Sequence, residues 1–194
     1  DFDNIDKITS DNINNLKKQS KSNFIWLANK DDNITFDLLK IDKNTLKLSD
    51  IKNRVDSGGT SARGESWKKI LDILKILNEN KLILQDKVNR KKYTLLDYLS
   101  KNKIKNIRLY FSLIYNTDGT PATINSDYLN GFLSESIKRY DTIVREIETH
   151  SNFKNIKKNR NNLSISCNFK NNNKEIKIEI QGLYGAEIIK EFFK

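Results

Sequence analysis

The sequence predicts an α+β protein: a mixed or antiparallel sheet built on hairpins, packed against two longer amphipathic helices. Three observations predict it. Trp67, Ile70, Leu71, Ile73, Leu74 and Leu77 recur at helical spacing. Phe132, Ile137, Tyr140, Ile143, Val144 and Ile147 form a second helical stripe, with Glu135/Arg139 and Asp141/Arg145 at i,i+4 on its wet side. Residues 163–169 and 175–180 alternate apolar and polar across Asn171-Asn172-Asn173, as a hairpin with one buried face does. In 194 residues there is no internal repeat and no Pro/Ser linker, so one α+β domain over 1–194 is expected.

The elements follow in order. Residues 1–23 are polar, with weak helical spacing through Ile5, Ile8, Ile13 and Leu16. Residues 24–28 and 34–41 are rich in β-branched and aromatic side chains around a polar 30–33 turn, which reads as a hairpin; a short strand is expected at 45–48. The first long helix is expected to start at Ser66 as N-cap and stop at 78–80. A brief strand over 82–84 and a short helix over 93–100 come next. Residues 107–115 are nearly continuous apolar and β-prone, as a central, doubly covered strand would be. Asp118-Gly119 marks a turn, and the second long helix is expected over 126–150. Residues 151–162 read as a basic connector, and 186–193 as a closing helix.

Composition narrows the chemistry. Twenty-five Ile and 9% aromatic residues are too many for a disordered chain, although the hydrophobic share is only 37%. No run of 18 apolar residues exists, so no transmembrane helix is expected. One Cys and one His exclude a disulfide framework and the usual zinc sites. Cys167, in an alternating strand, reads as a small buried hydrophobe, and His150 as a cation suited to a helix C-terminus. The chain opens with Asp1, lacks Met and shows no apolar leader; a fragment or processed product in the cytoplasm is the expectation.

The net charge is +10, and its distribution is uneven. Residues 1–60 are neutral, 81–110 hold nine basic side chains against Asp86 and Asp97, 111–149 are net −3, and 150–194 are net +5. Two basic stretches around an acidic helix suit a phosphate backbone. Composition alone also accounts for much of it: 26 Asn and a fourfold excess of Lys over Arg follow from an AT-rich genome.

The segment 56–66 holds three of the seven glycines and is the strongest candidate site. Gly58 and Gly59 let backbone approach a ligand closely, and helix-start N–H groups attract anions. Ser61 adds a hydroxyl, Arg63 a donor fork for phosphate or guanine, and Glu65 a carboxylate. Neither GxxxxGK[ST] nor GxGxxG is present. The bland alternative is a surface turn whose Glu65 favours the helix dipole.

Thr60-Ser61-Ala62-Arg63-Gly64-Glu65 leading into an amphipathic helix resembles a segment of several type II restriction endonucleases, over about 20 of the 194 residues. The resemblance implies a DNA-binding, Mg²⁺-dependent deoxyribonuclease with a PD…(D/E)xK site, acting on duplex DNA, with a homodimer as one possible assembly. Glu175-Ile176-Lys177 has the ExK form on the second strand of a hairpin, but 163–169 supplies no Asp; Glu179 with Gln181 is a degenerate alternative. The resemblance therefore gives Glu65, Glu175 and Lys177 as catalytic and Glu65 and Glu175 as metal-binding, with Asp56 or Asp118 as further acids. Alternation alone puts Glu175, Lys177 and Glu179 on a solvated strand face. Lys91, Lys92, Lys157 and Lys158 are expected on the DNA backbone. Two other readings stay open: a non-enzymatic nucleic-acid- or protein-binding module, and a bacterial effector or toxin fragment, for which the Ser164-Ile165-Ser166 strand before Glu175 and Glu179 faintly suggests NAD chemistry.

Overall fold

A computed structural model describes residues 24–26, 36, 38–49, 51–53, 60–110, 113–115 and 126–181. Gly58, Gly59, Asp56, Asp118, the weak helical pattern of 1–23 and the closing helix at 186–193 lie outside the described residues.

The centre is a mixed six-stranded sheet. Its strands are β2 (Leu38–Asp42), β3 (Thr45–Ser49), β7 (Asn106–Tyr110), β11 (Lys174–Gln181), β10 (Ser164–Asn171) and β9 (Phe153–Asn159), in that spatial order. β7 pairs parallel with both β3 and β11, and the other three pairings are antiparallel. A three-stranded sheet, β1 (Phe24–Trp26), β5 (Leu82–Asp86) and β6 (Lys92–Thr94), and a two-stranded one, β4 (Ile51–Asn53) with β8 (Leu113–Tyr115), complete the strands among the described residues. The helices among the described residues are α1 (Thr60–Glu79), α2 (Leu95–Lys101) and α3 (Ser126–Thr149).

Of the two apolar stripes, the described members are buried or half-buried, and the side chains of Trp67 and Phe132 lie outside the described residues. Ile70, Ile73, Leu74 and Leu77 of α1 and Tyr140, Ile143 and Ile147 of α3 share one core with Leu46, Leu48, Ile107, Leu109, Ile165, Phe169, Ile176, Ile178 and Ile180 of the sheet. Tyr140 Oη donates to Ser164 O at 3.0 Å, tying α3 to β10. The hairpin turns on Asn172 and Asn173, both at positive φ (49° and 63°), which asparagine tolerates. Thr94 caps α2, its Oγ1 accepting from Asp97 N–H at 3.1 Å.

Five expectations are corrected. β1 does not form a hairpin with the next strand; it pairs with β5, while β2 pairs with β3 through the two-residue turn Lys43-Asn44. A tight turn with Lys43 at φ 52° outcompetes the longer polar loop. The first long helix begins at Thr60, so Ser66 lies within it. The short helix starts at Leu95, after a strand through Tyr93. The apolar run 107–115 is split into β7 and β8, which belong to different sheets. The supposed connector 151–162 contains edge strand β9. Its pattern is hidden by a bulge opposite Cys167, where Asn155 takes φ 53°. The extra residue puts Phe153 and Ile156 on the core side three apart, which erases the period of two.

Cys167 is buried, and burial pushes its thiol up to about 12. Native protein treated with a maleimide at neutral pH is expected to stay unlabelled, with labelling appearing in denaturant. Labelling at equal rates in both states would contradict its burial.

Candidate functional site

Strict alternation divides β10 and β11 between two environments. Ile165, Cys167, Phe169, Ile176, Ile178 and Ile180 point into the core. Ser164, Ser166, Asn168, Lys170, Glu175, Lys177, Glu179 and Gln181 stand on the opposite, outward face. The register extends that face across the whole sheet. One row runs Lys157, Ser166, Glu179, Arg108, Lys47, Lys40 from β9 to β2. The next runs Lys154, Asn168, Lys177, Asn106, Thr45, Asp42. With the cross-strand pair Lys170 and Glu175, seven cations on this face meet three carboxylates.

The two ends of the face differ. Leu38, Lys47, Ser49 and Tyr110 project outward yet are buried, so the face is covered along β2, β3 and the end of β7. Lys154, Lys157, Lys170, Glu175 and Lys177 are exposed, so the half built by β9, β10 and β11 is open.

Between the halves sits a charged trio. Arg108 Nε donates to Glu179 Oε2 at 2.5 Å, and Lys177 Nζ lies 2.9 Å from Glu179 Oε1. Burial would raise the Glu179 carboxyl, but hydrogen bonds from Lys177 and Arg108 together hold it below its ordinary value. Glu179 is thus a fixed, neutralised carboxylate. Beside it, Lys157, Ser164, Ser166 and Gln181 line a hollow of about 250 Å³.

At the other end of β11, Ser100, Lys103, Lys105, Lys174 and Glu175 border a cavity of about 420 Å³. The two basic stretches of the sequence meet there. Lys177 N–H donates to Lys105 O at 2.8 Å, and Lys174 ion-pairs with Asp97 of α2. The Lys174 ammonium holds the Asp97 carboxyl below its usual range.

The expected site residues are distributed as follows. Glu175 and Lys177 share the outward face. Glu175 lies opposite Lys170 and accepts from Asn168 Nδ2 at 3.3 Å. Lys157 stands on the same face, opposite Ser166, but Lys158 is opposite Ile165 and reaches Glu148 of α3 at 2.5 Å. Asp141 pairs with Arg160 of the turn after β9, at 3.1 Å, and Arg145 instead bonds Thr142. His150 contacts Glu146 at 3.0 Å. Lys91 and Lys92 are exposed at the junction of β5 and β6. Ser61, Arg63 and Glu65 lie in the first turns of α1, and the core residues of that helix, Ile70 to Leu77, follow later in it. Among the described residues no three His, Cys, Asp or Glu side chains group as metal ligands. No described helix is long and apolar enough to cross a membrane.

Sequence reasoning missed Arg108, Lys154, Lys170 and Asn168 as members of the surface. The available signal was the outward phase of each alternating strand, which is readable for β10 and β11 but not for bulged β9. No known protein family, characterised protein or solved structure matches the chain.

Proposed function

We propose that the chain is a DNA-binding protein that lays a phosphate backbone along the open half of its outward sheet face. The observation that carries this is the register-aligned rows of Lys154, Lys157, Lys170 and Lys177, interleaved with Ser166 and Asn168, where cations outnumber carboxylates. Lysines neutralise phosphates and the short polar side chains bond phosphate oxygens, positioning the duplex without reading sequence.

The reading has an enzymatic form, a Mg²⁺-dependent endonuclease of the type II restriction kind, and a form that binds without cleaving. Glu175 and Lys177, two apart on one strand face, supply a carboxylate and an ammonium to the first form.

Two measurements on the same protein test this. Affinity for a mixed-sequence duplex is expected to fall steeply with salt, with a logarithmic slope of about −0.9 for each phosphate contact. A flat dependence removes the proposal. Incubation of plasmid DNA with Mg²⁺, comparing the unaltered chain with Glu175→Ala and Glu65→Ala, then separates the two forms. Cleavage that survives both changes refutes these catalytic assignments, and steep binding with no cleavage identifies a binding module.

A further inference from the structure

The turn joining β5 to β6 is ordered, basic and apolar at its tip. Asp86 Oδ1 accepts from Val88 N–H at 2.8 Å and from Asn89 N–H at 3.1 Å. Asn89 Oδ1 accepts from Lys91 N–H at 2.8 Å, and Gln85 Nε2 donates to Arg90 O at 3.0 Å. Across the base, Asp86 N–H donates to Lys91 O at 2.9 Å. These bonds satisfy the polar backbone of the turn internally and fix its shape before any partner arrives.

At the tip stands Val88, 90% exposed. Valine is a poor turn residue, and at this exposure it gains nothing from its own fold. Around it Arg90, Lys91 and Lys92 are exposed, with the Lys91 ammonium 5.5 Å from the Tyr93 ring centre. An apolar tip rimmed by exposed cations has the chemistry complementary to a duplex groove, which carries phosphates on its rims and thymine methyls on its floor.

We propose that this turn enters the major groove of duplex DNA, with Val88 packed against a thymine methyl and Arg90, Lys91 and Lys92 on the flanking phosphates. The inference rests on the DNA-binding reading above and adds to it an element that senses bases.

The test uses the full chain, Val88→Ser, and two probes: a thymine-rich duplex and the same duplex with deoxyuridine replacing thymidine. The unaltered chain is expected to bind the thymidine duplex about five times more tightly than the deoxyuridine one. Val88→Ser is expected to bind both equally and at the weaker level, with an unchanged salt slope and an unchanged thermal midpoint. The combined Arg90→Ala, Lys91→Ala, Lys92→Ala variant should instead shrink the salt slope by about three. Equal affinity of the unaltered chain for both probes, or full affinity in Val88→Ser, overturns groove entry while leaving sheet-face binding intact. An unaltered chain that binds neither probe defeats the DNA-binding reading itself.

Discussion

Replacing Lys154, Lys157 and Lys170 together by alanine is expected to flatten the salt dependence of duplex binding by about three in logarithmic slope and to abolish most affinity at moderate salt. All three side chains are exposed and outward, on neighbouring strands β9 and β10. Their removal leaves Phe153, Phe169 and the core unchanged, so the fold should persist; surface changes of this kind usually stay within about 0.5 kcal/mol each. The measurement is a salt titration of binding beside a thermal melt. An unaltered slope with an unaltered melting point would show that phosphate contacts lie elsewhere, and the sheet-face proposal would fall. Lys158→Ala is a useful contrast. That side chain is turned to Glu148 on α3 and should change the slope far less, although it neighbours Lys157 in sequence.

Phe169→Ala is expected to destabilise the chain by about 3–5 kcal/mol, the range for a buried phenylalanine that leaves a cavity. Phe169 is fully buried in β10, opposite Ile176 of β11 and Phe153 of β9, with ring centres of the two phenylalanines 5.0 Å apart. Typical stability is about 5–15 kcal/mol, so the loss takes much of what holds the domain. It also reaches the proposed interface. Phe153 anchors edge strand β9, and without its partner the strand that carries Lys154 and Lys157 is loosened. Denaturant unfolding gives the stability change, and a loss below about 1 kcal/mol would mean the site collapses around the missing ring or was never tightly packed.

The long helices and the β10–β11 hairpin were legible because each buries a single face and so leaves a clean period, 3.6 or 2, in the residues. β9 was not legible, since one inserted residue moved Ile156 into phase with the core. The partner of β1 was not legible either. Phe24–Trp26 looked to its neighbour in sequence, but backbone pairing with β5, some 60 residues on, leaves no local mark. Of the site, Glu175 and Lys177 were read correctly as sharing a strand face. Arg63 and Glu65 were found by composition of a Gly-rich segment, and the core residues that the periodicity marks on α1, Ile70 to Leu77, come later in the helix.

The sequence by itself determined the class of the fold and the chemistry available to it. The apolar periods demanded two helices and an alternating hairpin, and a single His and a single Cys left no ligand set for the usual zinc sites. Only the tertiary structure decided how the charges add. Basic stretches separate in sequence are joined by the contacts of Lys177 with Lys105 and of Lys174 with Asp97. Parallel pairing of β7 with β11 sets Arg108 beside Glu179 and neutralises the best-placed carboxylate. The physical reason is range: apolar periodicity is a property of one element, whereas a surface potential sums side chains that strand register brings together from distant parts of the chain.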